Sequence, residues 1–118
     1  MSTDEAKSAA LQQKYNSFQS DITELTEQVG TISSQLQEHF IVDQTLSKID
    51  PSQRSDRKCF KMIGGVLVEK TVDDVIKLLD EDIKLLKDQR EKTEKVLNTT
   101  RKGLEDFIKT NNIKIVRQ

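Results

Sequence analysis

Apolar residues in the first part of the chain recur with spacings that alternate between four and three, at Leu11, Tyr15, Phe18, Ile22, Leu25, Val29, Ile32 and Leu36. A repeat of 3.5 residues places one narrow apolar stripe along an α-helix, and a second helix must cover that stripe. The next two positions in this register, His39 and Asp43, are polar, before Leu46 resumes it. The sequence therefore predicts a coiled-coil helix over about 3–49, in which simple two-helix packing ends near His39.

A second helix with the same repeat is predicted over about 72–111. Thr71 can cap its first turn, and Asp73 and Asp74 place negative charge at the positive end of the helix dipole. Asn111-Asn112 is the expected stop, because asparagine tolerates the left-handed conformation. The stripe of this helix consists of Ile76, Leu79, Ile83, Leu86, Arg90, Thr93, Leu97, Thr100, Leu104 and Phe107. Its polar members predict a weak middle section, where the helix is flexible or the two helices part.

The two stripes have nearly equal length and are joined by one short connector, so the helices are expected to fold back on each other. Asp50-Pro51-Ser52 should end the first helix, because proline restricts the preceding residue and cannot donate to the helical ladder. Helices of roughly 35 to 40 residues would make this coiled coil, which we call the arm, about 50 to 60 Å long. The predicted fold is therefore dominated by α-helix, an antiparallel coiled coil with both chain termini at its free end.

The connector, over 50–71, contains an apolar segment, "KCFKMIGGVLVEK", in an otherwise highly charged sequence. Gly64-Gly65 supplies the positive φ angles of a tight turn, which predicts a β-hairpin with strands at Lys58–Ile63 and Val66–Lys70. Both faces of this hairpin are apolar, and the helices use their stripes on each other. Other chains are therefore expected to supply strands, and the predicted assembly residues are Cys59, Phe60, Met62, Ile63, Gly64, Gly65, Val66, Leu67 and Val68.

Composition limits the remaining possibilities. With 118 residues, of which 34% are hydrophobic and 4% aromatic, the chain has material for one domain over 1–118 but not for a thick globular core. The 19 basic and 20 acidic residues give a net charge of −1, which makes nucleic acid an unexpected partner. The N-terminus is polar and acidic, and no run is apolar enough to cross a bilayer, so a soluble intracellular protein without membrane contact is expected.

The residue types that carry chemistry are sparse. Cys59 is the only cysteine and His39 the only histidine. We expect Cys59 to be a buried structural thiol and His39 to be a solvated or hydrogen-bonded helix residue. The glycine pair does not belong to a phosphate-binding motif, and no metal-ligand spacing is present. The sequence therefore predicts no catalytic, cofactor or metal site, and no enzymatic activity.

Two segments carry a family resemblance. "RKCFKMIGGVLVEKTVDDV" is very similar to the hairpin and second-helix start of the β-type prefoldins, and "QEHFIVDQTL" resembles the end of their first helix. The resemblance covers essentially the whole chain, but its specificity lies in Glu38 to Val75, because the arms match only in their heptad pattern.

This resemblance implies a hexamer of two α-type and four β-type subunits, in which the hairpins join into a double β-barrel platform and six coiled coils hang from it. The eukaryotic members carry nascent actin and tubulin to a cytosolic chaperonin without using nucleotide. By this resemblance the chain is expected to be cytoplasmic, with other prefoldin subunits, unfolded clients and the chaperonin as its partners.

In such a mechanism the distal ends of the arms would contact unfolded clients at several weak points. The predicted client-binding residues are Leu11, Tyr15, Leu104, Phe107, Ile108, Ile113, Ile115 and Val116. Those on the stripes could equally serve only to close the coiled coil, whereas Ile108 and the terminal residues lie off the stripe and are the better candidates. The alternative function is a coiled-coil tether or scaffold whose hairpin is only a connector.

Overall fold

The computed structural model describes residues 3–114 and is mostly helical. Its elements are α1 (Thr3–Ser47), α2 (Pro51–Arg54), β1 (Lys58–Ile63), β2 (Val66–Thr71) and α3 (Val72–Thr110). The predicted fold class, with two long helices and one antiparallel hairpin, is confirmed. None of the helices in the described part is both long and apolar enough to span a bilayer.

Both predicted stripes form the covered side of their helices. Every stripe residue of α1 and α3 is buried or half-buried, including the polar His39, Asp43 and Arg90. Apart from Val72, each buried hydrophobic residue of the described chain belongs to a stripe, namely Leu36, Leu79, Ile83, Leu97 and Phe107. The heptad pattern thus identifies the core. Thr93 and Thr100 are half-buried on the covered face, and the predicted weak middle section of this stripe stays a prediction.

The chain divides into two compact units. One combines Met1–Thr31 with Glu91–Gln118, and the other is the continuous segment Ile32–Arg90. The first therefore joins the beginning of α1 to the end of α3, and the second contains the end of α1, the hairpin and the beginning of α3.

Helix contacts within the first unit have an antiparallel order. The rings of Phe18 and Phe107 lie 5.6 Å apart between centroids. Lys14, one turn before Phe18, places its Nζ 5.5 Å from the centre of the same Phe107 ring. Phe18 in turn approaches Gly103, where an added Cβ would lie 3.2 Å from the ring. Positions earlier in α1 thus meet positions later in α3.

The second unit has the same order. His39 Nε2 lies 3.8 Å from Asp82 Oδ2, and the carboxyl groups of Asp43 and Asp80 are close enough to form a hydrogen bond when one of them is protonated. The expectation that two-helix packing ends near His39 is therefore wrong. The packing continues past it through polar side chains, which the search for apolar stripe residues could not detect.

The connector after α1 contains a short helix that the sequence analysis did not predict. Asp50 caps α2 by accepting hydrogen bonds from the backbone N–H and the hydroxyl of Ser52, at 3.0 and 2.8 Å. The backbone hydrogen bond from Ser52 is the main reason that the pKa of Asp50 is lowered. Pro51 occupies the first turn of α2, where its missing N–H costs nothing.

Arg54 of α2 closes the end of α1. Its Nε donates to the carbonyl of Ile49 at 2.9 Å, and its Nη2 donates to the carbonyl of Ser47. The last turn of α1 contains no basic residue of its own. Arg54 therefore supplies the positive charge that favours a helix C-terminus.

Candidate functional site

The hairpin has the geometry that the glycine pair predicts. Its register runs from Lys58 opposite Thr71 to Ile63 opposite Val66. Gly64 and Gly65 adopt φ angles of 56° and 83°, which a two-residue turn matching the twist of the strands requires.

The hairpin continues directly into α3. The Val72 N–H donates to the carbonyl of Arg57 at 2.9 Å and adds one hydrogen bond beyond the strands. The Asp74 N–H then donates to Thr71 Oγ1 at 3.2 Å, which confirms the predicted cap. Val72 is almost fully buried. The start of α3 is thus anchored at the base of the hairpin.

One face of the hairpin, which we call the open face, exposes large apolar side chains. Residues directly opposite each other in an antiparallel pair lie on the same face, which places Phe60, Met62 and Leu67 together. Their exposed fractions are 65%, 65% and 61%. A Lys58–Glu69 ion pair, with Nζ and Oε1 2.9 Å apart, lies on the same face toward the helices and raises the pKa of Lys58.

The opposite face is partly covered. Cys59, Lys61, Val68 and Lys70 are half-buried, whereas the pair next to the turn, Ile63–Val66, is exposed. The two faces of the hairpin therefore differ in exposure, and their burial by strands of other chains stays a prediction. Cys59 is a free thiol and is half-buried in the single chain, and its role as a buried structural thiol in the assembly stays a prediction.

His39 is held as a hydrogen-bonded helix residue. Its Nδ1 lies 2.7 Å from the carbonyl oxygen of Gln35, so Nδ1 carries the hydrogen of that bond. The ring is half-buried and turns Nε2 toward Asp82 on α3. This agrees with the structural role that the sequence predicted.

Asp43 and Asp80 form a pair of carboxyl groups between α1 and α3. Their shared hydrogen bond raises the pKa of Asp80, with smaller contributions from partial desolvation and from the like charge of Asp43. Sequence analysis missed the pair, although an aspartate at a stripe position was the available signal. Across residues 3–114, no group of three or more His, Cys, Asp or Glu side chains is arranged to hold a metal ion.

The predicted client-binding residues on the stripes lie in the first unit. Leu11, Tyr15 and Leu104 are half-buried, and Phe107 is buried against Phe18. All of them contribute to closing the coiled coil, and three retain part of their surface for other contacts.

Ile108 and Ile113 lie off the stripe but are half-buried, because they take part in the end of α3. Asn112 adopts a φ of 49°. Its N–H donates to the carbonyl of Lys109 at 3.3 Å, and the Ile113 N–H donates to the carbonyl of Ile108 at 3.0 Å. This is a Schellman motif, in which an apolar contact commonly accompanies the two hydrogen bonds. Ile115 and Val116, the other predicted client residues, lie outside the described residues.

A further group of exposed apolar residues, which we call the outer patch, was not among the predicted sites. It comprises Phe40, Ile41 and Val42 of α1 and Leu85 of α3, which are 52%, 54%, 46% and 67% exposed. The signal in the sequence was the consecutive Phe-Ile-Val beside two polar stripe positions.

Comparison with known proteins identifies the class. The model of the prefoldin subunit family, Prefoldin_2, matches residues 9–118, and the chain belongs to this family. The solved prefoldin beta subunit from Thermococcus strain KS-1 has the same fold, with a TM-score of 0.74, 18% identity and 86% of each chain covered.

Curated relatives that carry the name prefoldin subunit 2 are similar over nearly the whole chain. The probable prefoldin subunit 2 of Schizosaccharomyces pombe is 30% identical over 100% of both chains. Prefoldin subunit 2 of Saccharomyces cerevisiae is 31% identical, covering 96% of this chain and 98% of the relative. The Drosophila melanogaster protein, named probable prefoldin subunit 2, is 36% identical, with 98% and 80% covered. The resemblance predicted from the hairpin is thus confirmed.

Proposed function

We infer that this chain is a β-type subunit of a hetero-hexameric, ATP-independent and non-enzymatic co-chaperone. Its partners in the assembly are two α-type and further β-type prefoldin subunits. The complex captures unfolded or nascent proteins such as actin and tubulin with the ends of its coiled coils. It works in the cytoplasm and passes these clients to a cytosolic chaperonin.

The observation that carries this proposal is the exposed apolar surface of the hairpin. Its exposed apolar side chains are Phe60, Met62, Ile63, Val66 and Leu67. With roughly 200 Å² for each large side chain, their exposed fractions amount to roughly 600 Å². The open face contributes roughly 380 Å² of this area, within the about 300 to 600 Å² of the largest apolar patches on monomeric proteins, and Ile63 and Val66 add the rest on the opposite face. A two-stranded sheet also has two open edges, so strands of neighbouring subunits can cover the surface and pair with the edges.

Assembly through the hairpin is tested with Val66→Asp and Leu67→Asp. A carboxylate that becomes buried without a partner costs several kcal/mol, so both variants should fail to join the complex while the free chain remains helical. Val96→Asp is the matched control, because Val96 is 51% exposed on α3, outside the hairpin. Co-purification with partner subunits and native mass measurement report incorporation. Normal assembly of both hairpin variants would refute burial of these strands between chains.

Client capture is proposed for the first unit because it contains the beginning of α1 and the end of α3. Helix ends open locally at low free-energy cost, and several weak contacts on several arms combine through effective concentration. The half-buried Tyr15 and Leu104 can therefore close the coiled coil and also contact a client. A coiled-coil tether without chaperone activity, the alternative, would give assembly but no protection of unfolded proteins.

Truncation of the C-terminal end tests capture. Removal of 115–118 leaves the Schellman motif intact, whereas removal of 113–118 combined with Ile108→Ser removes its apolar residues as well. The assay measures light scattering of a chemically unfolded client diluted from denaturant in the presence of assembled complex. The larger change should weaken protection partially, because other arms still bind. Asn112→Ala is the control, since it strains the helix end but keeps Ile108 and Ile113. Equal protection by complexes truncated on all arms would contradict capture by the ends.

A further inference from the structure

Residues 39–43 of α1, near its C-terminal end, have their polarity reversed. His39 and Asp43 are polar and lie on the covered side, where they face α3. Residues 40–42, in contrast, are apolar and expose about half of each side chain. A helix turn that puts polar groups inside and apolar groups outside is consistent with a second contact on its outer side.

The exposed side chains surround α1 at this turn. Successive helix residues are separated by about 100°, which places Phe40 and Val42 on opposite flanks of the stripe and Ile41 on the outside. Residues 40–42 end five residues before the C-terminus of α1 at Ser47, or about 8 Å by the helical rise. The outer patch is thus in the same compact unit as the hairpin.

Two shallow grooves between α1 and α3 adjoin the outer patch, and their rims differ in charge. The groove that contains Phe40 is bordered by Lys87 and Arg90. The groove that contains Leu85 is bordered by Asp82 and Asp88. A basic rim on one flank and an acidic rim on the other suit two different neighbouring surfaces, as in a ring of subunits with heterologous contacts.

We propose that the outer patch is a second interface with adjacent prefoldin subunits, which pack a helix of their own against each flank. The Phe40 flank takes an apolar helix surface bordered by acidic residues, and the Leu85 flank takes one bordered by basic residues. The occupant is a helix rather than a strand, because the backbone of α1 uses its hydrogen bonds within the helix and offers only side chains. This inference rests on the proposed function as an assembly subunit.

The area required for assembly supports a second interface. A stable interface buries about 800 Å² on each partner, of which about 60% is apolar, so contacts with two neighbouring subunits would need roughly 1,000 Å² of apolar surface. The roughly 600 Å² of apolar hairpin surface is smaller than this. The outer patch adds roughly 440 Å² on the same scale and lies in the same unit.

The experiment uses Phe40→Gln and Leu85→Gln, one on each flank, with Val96→Gln as the control of similar exposure in the other unit. The partner subunits are purified together without this chain, and each variant is then titrated into them. Native mass spectrometry of the mixtures gives the apparent Kd for incorporation of the variant. Loss of a well-packed interface side chain should weaken incorporation about tenfold for each flank, whereas the control should stay within about twofold. Circular dichroism of the free chains checks that all three variants are folded.

A second measurement detects burial of the outer patch directly and does not depend on weakened incorporation of a variant. Leu85→Cys is labelled with a thiol reagent in the free chain and in the complex, and peptide-level mass spectrometry separates its thiol from that of Cys59. Assembly should slow labelling at this position at least about tenfold, while the control Val96→Cys should label equally in both states. Equal labelling at position 85 in both states would overturn the proposal.

The remaining outcomes are also decisive. If Leu67→Asp blocks incorporation but Phe40→Gln and Leu85→Gln do not, the second interface is wrong and the proposed function stands. If Leu67→Asp assembles normally, assembly through the hairpin itself fails. Normal assembly with weaker client protection would assign the outer patch to clients. If the free chain associates with itself and Phe40→Gln abolishes this association, the outer patch binds a second copy of the chain. Either result would overturn the proposal.

Discussion

Thr100→Leu tests whether the weak middle of the α3 stripe limits the stability of the first unit. Thr100 is half-buried on the stripe, and the adjacent Thr99 is exposed. Both hydroxyls donate to the carbonyl four residues earlier, Thr100 to Val96 at 2.8 Å and Thr99 to Lys95 at 2.9 Å. Thr99→Leu is therefore a matched control, because it loses the same kind of hydrogen bond and gains the same helix propensity.

The expected difference comes from burial alone. Full burial of a leucine side chain contributes about 1.5 to 3 kcal/mol, and a half-buried position should gain roughly half of that. Thr100→Leu should therefore stabilise the chain by about 1 kcal/mol more than Thr99→Leu. For a chain of this size, that corresponds to a difference of about 4 °C in Tm.

Thermal unfolding followed by circular dichroism at the helix band measures the difference, in the free chain and in the assembled complex. Client protection should not improve with Thr100→Leu, since the substitution strengthens packing inside the unit and adds no exposed surface. Equal Tm values for Thr100→Leu and Thr99→Leu would show that Thr100 does not face α1, and the assignment of the stripe would be wrong at this position.

Three further substitutions test single contacts. Asp80→Asn should raise Tm at neutral pH by roughly 1–2 °C, because it removes the charge of the exposed Asp80 beside the like charge of the half-buried Asp43, and charge pairs near the surface are worth only tenths of a kcal/mol. The raised pKa of Asp80 means that the folded chain holds this proton more tightly than the unfolded chain. Stability from the Asp43 pair is thus present at low pH and lost as pH rises through the raised pKa. Asp80→Asn should flatten this dependence, and an unchanged pH profile of Tm would contradict it. Arg54→Ala should lower the free energy of unfolding by about 1–2 kcal/mol, because two carbonyls at the end of α1 lose a charged donor. Denaturant unfolding measures this change, and an unchanged free energy would show that water replaces the guanidinium group. Gly103→Ala should stabilise less than the roughly 1 kcal/mol of an ordinary helix position, because its Cβ would press on Phe18 at 3.2 Å; a full gain in Tm would show that the ring moves freely.

The helices and the hairpin could be predicted because each depends on a short-range pattern. The alternating spacing in α1 identifies the covered side of the helix even where the stripe residue is His39 or Asp43. The Gly64-Gly65 pair predicts the turn and therefore the register of every strand pair. Both signals are contained within a few residues, and tertiary contacts did not override them.

The missed features depend on contacts between residues that are distant in sequence or on a cap with no fixed motif. The carboxyl pair of Asp43 and Asp80 requires knowledge of the helix register across the coiled coil. Arg54 reaches back to the end of α1 from a helix that the connector was not expected to contain. Ile108 and Ile113 looked free because they lie off the stripe, yet the Schellman motif gives them a structural role.

The division of the chain into two units has a consequence for its synthesis. The hairpin unit is one continuous segment, Ile32–Arg90, whereas the other unit needs both ends of the chain. On the ribosome, the first 31 residues must therefore wait for the end of α3 before they can pack, with about 90 residues between partners such as Lys14 and Phe107. The segment that carries the hairpin is complete much earlier, because a continuous unit can fold as soon as it has emerged. The apolar strands of a nascent chain are consequently formed and exposed while its first helix still lacks a partner, which makes early encounter with other subunits or with a chaperone advantageous.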